Sequence, residues 1–541
     1  MSADDESFHP LGQDWENDLE DMLDDTEYDT DLGMKMAEDA MRVTKGELSE
    51  ADFHEMYHDE MMEEFGQDDR PTEAAYEEAK KNAGGFAEML KSLGGDGEDS
   101  RRGVMKKMGA GAAVGIGAWG TTQGGDEPSV SAAEAGGSET TEQGDTQWGM
   151  TIDLERCDGC LSCVKACAQE NNLDQGVNWM YVLQYEDGGP DSSRNRLVRP
   201  CQHCTDAPCE KVCPTTARHT RDKDGLVLTD YDVCIGCRYC QVACPYGVNY
   251  FQWDEPDIST EQIEEAHSDT EGHMMTDERG RWVDSRAPRG VMSKCTMCPS
   301  RQDGFSGEEK VGTSACEEMC PPDAIQFGDM KRETSDPQRY IDNPARGRAL
   351  VEMNSSLPST SGLEENLSGA GSDLESVLEA SEDLDEELLT VMKAAEIVTE
   401  NFGEDDADSV QYEEAILEVF DVLASHGLDL GSQEVLVELE LASEPDEDEE
   451  FEGADEEAAQ EALVDYSGSP SSNFKLLEDI GTNPNVVYFG NEPGPTAHQT
   501  ETPVAYSDME ADRADGGSIQ LVDNRKDVLD EGTVGDFGVS L

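Results

Sequence analysis

The chain has 541 residues, enough for three or four domains of ordinary size, with 38 Lys+Arg against 123 Asp+Glu and a formal net charge of −85. That charge repels phosphate backbones and anionic lipid, which argues against nucleic acid as a partner and against a basic membrane patch. The longest apolar run, about 13 residues from Met108 to Gly120, is well short of the roughly 20 that a bilayer-spanning helix requires, so no direct membrane span is expected.

The acid is unevenly placed. Residues 151–350 carry 35 acidic and 22 basic side chains, whereas the flanks, 1–150 and 351–541, carry 88 and 16. In dilute buffer such flanks repel themselves, while in molar salt the Debye length falls to about 3 Å and most of the repulsion is screened. The charge therefore points to a salt-loving (halophilic) source. The alternative is that the flanks are solvated acidic tails.

In chain order, residues 1–99 read as an acidic helical region. Asp31 to Lys45 forms one helix that stops at Gly46, and Ser49 with Asp52 opens a second that runs to Phe65. The second contains His54-Glu55-Met56-Tyr57-His58, a formal H-E-x-x-H, for which Glu77 or Glu78 could serve as a third ligand on paper. The same residues border a stripe of Phe53, Tyr57, Met61 and Phe65 that a hairpin would bury, so a metalloprotease is a remote alternative. Residues 100–147 hold Ser100-Arg101-Arg102-Gly103-Val104-Met105-Lys106 before a Gly/Ala-rich stretch. This resembles a twin-arginine signal, which exports proteins already folded around their cofactors, and implies the outer face of the cytoplasmic membrane. A basic linker in a cytoplasmic protein is the alternative.

All 16 cysteines fall within residues 148–349. They form four groups: Cys157, Cys160, Cys163, Cys167; Cys201, Cys204, Cys209, Cys213; Cys234, Cys237, Cys240, Cys244; and Cys295, Cys298, Cys316, Cys320. The first and third follow C-x2-C-x2-C-x3-C, and Pro214, Pro245 and Pro321 follow the last cysteine of the other three groups. This is bacterial ferredoxin spacing, in which three close thiolates wrap one cubane cluster and the fourth cysteine serves a neighbouring one. Structural zinc prefers two C-x2-C pairs and would leave the third cysteine of each run idle, so a zinc-binding protein is a remote alternative. The expected cofactors are four [4Fe-4S] clusters with the 16 cysteines as iron ligands.

Between the groups, Leu226–Leu228 and Tyr250–Trp253 read as short strands, and Lys165–Gln169 and Ala324–Phe327 as short helices, an α+β pattern. Gly159 and Gly236 allow backbone amides close to the sulfides, and Arg156, Lys211, Arg238 and Lys294 sit beside ligands where they could offset cluster charge.

Pro200-Cys201-Gln202-His203-Cys204, Asp232 through Cys240, Ala243-Cys244-Pro245-Tyr246-Gly247 and Lys294-Cys295-Thr296-Met297-Cys298 resemble the four-cluster iron–sulfur subunit of the DMSO reductase, polysulfide reductase and nitrate reductase group. The likeness spans roughly residues 148–330, and Phe474 to Tyr488 resembles a segment that in this family follows soon after the last cysteine motif. The resemblance implies two bacterial-ferredoxin-like double-cluster modules, the first group pairing with the fourth and the second with the third. On that pairing one cluster takes Cys157, Cys160, Cys163 and Cys320, and its partner Cys295, Cys298, Cys316 and Cys167. The inner pair takes Cys201, Cys204, Cys209 and Cys244, and Cys234, Cys237, Cys240 and Cys213. The implied partners are a molybdopterin-containing catalytic subunit and a membrane quinone-reactive or haem subunit.

Residues 350–470 depart from that pattern as an acidic helical insert. Leu384, Leu388, Val391, Met392, Ala395 and Val398 keep helical periodicity, as do Ile416, Val419, Phe420 and Leu423 before Gly427, while Glu444 to Glu457 reads as solvated linker. Residues 471–541 are expected to return to the cluster domain and end in a tail. The reading is an electron-transfer subunit of an oxidoreductase complex with no catalytic residues of its own; a stand-alone polyferredoxin is the alternative. The substrate of the catalytic partner is not legible.

Overall fold

Three helices open the chain in the computed structural model, which describes residues 7–68, 70, 144, 146–174, 177–187, 195–266, 275–354, 356–403, 411–443, 451, 453–494, 497–500, 510–512 and 517–520. The twin-arginine motif at Arg101 and Arg102, the apolar run after it, and Glu77 and Glu78 lie outside the described residues. Helices α2 (Thr30–Thr44) and α3 (Glu50–Phe65) match the expected pair, and α1 (Gly12–Asp24) precedes them. The Asp29 side chain accepts from the Leu32 amide at 2.8 Å and Ser49 Oγ from the Asp52 amide at 3.1 Å, and Gly66 closes α3 in the left-handed region. Helix α1 has Trp15, Leu19 and Leu23 on its buried face but no side-chain cap at Leu11, so its start carries no sequence signal. Met36, Ala37 and Ala40 of α2 meet Phe53, Tyr57 and Met61 of α3 in the hairpin's interior.

The strands that follow are short because four cysteine loops interrupt them. In chain order they are β1 (Trp148–Asp153), β2 (Tyr181–Asp187), β3 (Asn195–Arg199), β4 (Arg218–Thr220), β5 (Val227–Thr229), β6 (Tyr250–Phe251), β7 (Met292–Ser293), β8 (Ile325–Asp329), β9 (Asn473–Phe474), β10 (Val486–Phe489), β11 (Ala497–Gln499), β12 (Glu510–Asp512) and β13 (Ser518–Gln520). A four-stranded sheet runs β8-β1-β10-β9, with β1 antiparallel to β8 and parallel to β10. Ala324–Phe327, expected as a short helix, instead leads into β8: Ile325 lies opposite Ile152, Phe327 opposite Met150, and the Phe327 ring stacks on Trp148 at 5.6 Å. Four residues are too few for a helical period to be told from a strand, and the partner strand decides. Tyr250–Trp253 shortens to Tyr250–Phe251, leaving Trp253 56% exposed.

Seven helices among the described residues, from Pro344–Asn354 to Glu456–Ser467, build a separate apolar core of mostly leucine, valine, methionine and alanine, while Tyr340 of the preceding helix Asp336–Asp342 packs with Val487 and Phe489 of β10. That core includes Ala345 and Ala349, so the helical unit begins before residue 350. Of the expected periodic residues, Leu388, Val391, Met392 and Ala395 share one helix, while Leu384 precedes it and Val398 caps it. The stretch read as linker yields its last two residues, Glu456 and Glu457, to a helix capped by Asp455. The unit is tied to the sheet at the end of β1: the Arg348 guanidinium donates to both Asp153 oxygens at 2.6 and 2.9 Å, and Tyr340 Oη donates to Asp153 at 2.7 Å.

Candidate iron–sulfur centres

Each cysteine loop is bent by one left-handed residue two positions after its first cysteine: Gly159 (φ 76°), His203 (φ 41°), Gly236 (φ 70°) and Met297 (φ 59°). The bend turns successive amides inward, the nest geometry that suits an anion. At Gly236 the glycine is also required by space, since a Cβ would lie 2.2 Å from the Gly290 carbonyl oxygen. The first and third groups repeat a further feature: Leu161 (φ 65°) and Arg238 (φ 68°) are left-handed N-caps, and the helices they open carry Cys163 and Cys167, and Cys240. The fourth group reaches the same end differently. A 17-residue gap leads to Ser314, which makes a capping box with Glu317 and starts the helix Ala315–Glu318 that carries Cys316.

All 16 thiols are free. One cavity is lined by Cys157, Cys160, Cys163 and Cys320, and a second by Cys213, Cys234, Cys237 and Cys240. In both, three cysteines come from one group and the last from another. The remaining eight thiols sit in two buried clusters. Burial pushes the Cys167 thiol well up, and the facing Cys295, Cys298 and Cys316 add to it; burial does the same to Cys204 beside Cys201, Cys209 and Cys244. Burial raises Cys320 to about 11, with Cys157 and Cys160 alongside.

These residues fit four [4Fe-4S] clusters. Buried thiols facing one another resist ionisation, and iron supplies the positive charge that makes them ligands. Three close thiolates joined by the last cysteine of another group suit a polynuclear group better than a four-coordinate zinc ion. The amides of Arg218 and Ala324 donate to Cys213 and Cys320 Sγ, each at 3.3 Å, and Asn171 Nδ2 donates to Cys167 Sγ at 3.6 Å, bonds of the kind that tune reduction potential.

The cations named from sequence are largely engaged elsewhere. Lys211 Nζ donates to Glu50 at 3.0 Å, Arg156 Nε to the Pro322 carbonyl at 3.1 Å, and Lys294 Nζ to the Cys295 carbonyl at 3.0 Å. Arg238 lies over the rings of Phe251 and Trp253 at 4.1 and 3.9 Å. A cation that sequence does not single out, Arg218, is 1% exposed and its Nη2 lies 3.6 Å from Cys240 Sγ. Sequence reasoning misses it because it lies five positions after Cys213, outside the motif, and opens a short polar strand, Arg218–Thr220, that carries no local signal.

The N-terminal helices also belong to the site. Tyr239 Oη donates to the Asp29 carbonyl at 2.7 Å, Arg238 Nη1 to the Met22 carbonyl at 3.0 Å, and Gly33 packs against the Tyr239 ring. The H-E-x-x-H histidines form no metal site with each other: His54 is buried against Phe53, and His58 pairs with Asp68 at 3.0 Å. The returning C-terminal segment holds the second cysteine loop, with Thr205 and Asp206 amides donating to the Asn483 and Thr482 carbonyls and Asn485 Nδ2 donating to the His203 carbonyl at 2.7 Å.

Residues 9–73 match the N-terminal region of 4Fe-4S ferredoxin iron-sulfur binding proteins, and residues 195–274 match a 4Fe-4S dicluster domain. The chain is 41% identical over 211 residues to a putative iron–sulfur subunit of dimethyl sulfoxide reductase from Halobacterium salinarum, an alignment covering 36% of this chain and 71% of that protein. It is 37% identical over 208 residues to the arsenate respiratory reductase iron-sulfur subunit ArrB of a Shewanella species, covering 36% and 84%. The iron-sulfur cluster-binding subunit of menaquinone reductase from Nitratidesulfovibrio vulgaris is 33% identical over 206 residues, covering 34% and 75%. About a third of the chain thus carries the likeness, and on it the chain belongs to the family of [4Fe-4S] electron-transfer subunits typified by the iron–sulfur subunit of DMSO reductase.

Proposed function

We propose that the chain relays electrons between a molybdopterin-containing catalytic subunit and a membrane quinone-reactive or haem subunit, through two double-cluster modules built on crossed ligand sets. One module pairs Cys157, Cys160, Cys163 and Cys320 with Cys295, Cys298, Cys316 and Cys167. The other pairs Cys201, Cys204, Cys209 and Cys244 with Cys234, Cys237, Cys240 and Cys213. The observation that carries this is the composition of the two cavities, each walled by three cysteines of one group and the last of its partner.

Burial supports a relay. Cys160 is exposed, Cys157, Cys234 and Cys320 are half-buried, and the other twelve are buried. The sets containing Cys160 and Cys234 therefore lie toward the surface, and the other two lie between them. His203 Nε2 donates to the Cys295 carbonyl at 2.9 Å and so joins the second and fourth cysteine loops. Bound in these sets, cubane clusters supply one-electron carriers, and the chain's part is to hold them in line and keep water from the middle two. The acidic helical insert bounded by residues 350 and 470 would be an addition to this relay, and export by Arg101 and Arg102 would place the complex on the outer face of the cytoplasmic membrane.

The test is EPR of the reduced full chain. In the crossed scheme Cys167→Ala and Cys298→Ala abolish the same signal, although 131 positions separate them in the sequence. Loss of two different signals would overturn the pairing. Purification from detergent-solubilised membranes tests the relay: a molybdopterin protein should accompany the chain, whereas a chain recovered alone from the soluble fraction would favour a stand-alone polyferredoxin.

A further inference from the structure

Arg218 opens strand β4 and its side chain is wholly enclosed. Nη2 donates to Asn249 Oδ1 at 2.8 Å, and Asn249 is itself fixed by donating from Nδ2 to the Cys240 carbonyl at 3.1 Å. Nε and Nη1 are buried with no hydrogen-bond partner, and among the described residues no carboxylate lies within ion-pair distance of the guanidinium. The neighbouring Arg221 shows the contrast, since it pairs with Asp224 at 2.5 Å and Asp303 at 2.8 Å. An enclosed guanidinium with no counter-charge is strongly unfavourable. The electronegative groups it faces are the sulfurs of Cys240, Cys209, Cys201 and Cys213, and it lies in the wall of the cavity that Cys213, Cys234, Cys237 and Cys240 line.

We propose that Arg218 is a positioning residue shared by the two clusters of the second and third cysteine groups, inner in sequence order, a fixed positive charge that raises the reduction potentials of both. A cubane cluster with four thiolate ligands is an anion, and each one-electron reduction adds a negative charge, so a cation held beside it favours the reduced state. The guanidinium's two unpartnered nitrogens then have the cluster sulfides as their acceptors. Because Nη2 touches Cys240 Sγ, the cluster on the third cysteine group feels the charge most. The inference rests on the inner groups holding clusters, as proposed above, but not on the crossed assignment, since Arg218 faces cysteines of both inner groups.

The test is potentiometric EPR of the full chain with iron and sulfide counted, comparing Arg218→Gln and Arg218→Lys. The two inner signals are identified by their loss in Cys209→Ser and Cys240→Ser. Arg218→Gln should shift both inner potentials to more negative values and leave the outer two in place, while Arg218→Lys, which keeps the charge, should shift them less. If Arg218→Gln loses iron from the inner sites alone and Arg218→Lys retains it, the charge requirement is met in a stronger form. Unmoved potentials in a fully loaded Arg218→Gln, an equal shift of all four, or loss of inner iron from both variants would overturn the proposal, the last because packing rather than charge would then be the requirement. A failure of the crossed pairing shows separately in the cysteine variants.

Discussion

Residues 148–330 bury arginines, histidines and thiols among their apolar side chains, where residues 336–467 bury chiefly leucine, valine and alanine. Among its described residues the helical unit keeps its buried charge to Arg339, Arg346, Arg348 and Glu413, and apart from Ser381 the rest of its interior is apolar. The cysteine region instead encloses His203, Arg218, His219, Arg221, Asp284, Lys294 and Arg301. An aliphatic core is stabilised by the transfer of its own surface out of water. The cysteine region also buries apolar residues such as Leu183, Val198, Leu226 and Phe327, but its thiols and cations add buried polar groups whose cost depends on what the thiols hold. The two regions of one chain therefore differ in what folds them, and that difference can be broken experimentally.

The largest effect follows from removing iron. Chelation of the anaerobic protein should unfold residues 148–330 and leave the helical unit standing, because metal binding free energy is folding free energy where ligands are this dense. Limited proteolysis of the full chain should then yield a protected fragment within about 336–467 with its helical circular dichroism retained. Simultaneous loss of both regions would show that the helical unit has no independent stability.

Next is the link between the regions. Asp153 is 2% exposed and accepts two bonds from Arg348 and one from Tyr340, so Asp153→Ala leaves Glu155, at 2.8 Å, as the guanidinium's remaining carboxylate and the Tyr340 hydroxyl without this acceptor. A buried charge left with no partner costs about 3–5 kcal/mol, and the surviving Glu155 pair keeps the loss here below that. The variant should melt in two separated steps where the native protein melts more nearly as one, with its EPR signals retained. A single transition at the native temperature would mean that the pair contributes nothing.

The division between regions also explains what is legible in the sequence. Cysteine spacing is a covalent record of the ligand sets, so all 16 positions can be named without the fold, and helix boundaries at Ser49 and Gly46 follow from capping chemistry. Ala324–Phe327 misleads because a short apolar segment takes its conformation from its neighbour β1. Arg218 escapes notice because its role depends on an enclosure formed by residues from 201 to 249, which no local pattern encodes. The left-handed bends at His203 and Met297 are equally hidden, since neither residue type advertises φ above zero as Gly159 and Gly236 do.

The smallest expected effect is a difference in acid response. His219 lies inside the cysteine region, with Nδ1 donating to the Ala217 carbonyl at 3.0 Å and Nε2 accepting from Arg279 at 2.9 Å, which fixes a neutral ring. Burial, with the Arg279 charge beside it, lowers its pKa from 6.5 to about 3. The unfolded chain therefore takes up a proton at higher pH than the folded one, and the stability present above pH 6.5 is lost as pH falls toward 3. The helical unit's one histidine, His426, is not buried. Below pH 6.5 the cysteine region of the native protein should lose melting temperature faster than that of His219→Gln, which keeps a donor and an acceptor but cannot be protonated, while the transition of the helical unit should move alike in both. Parallel pH profiles for the two proteins across the range between 6.5 and 3 would show that His219 is reached by water before the region unfolds.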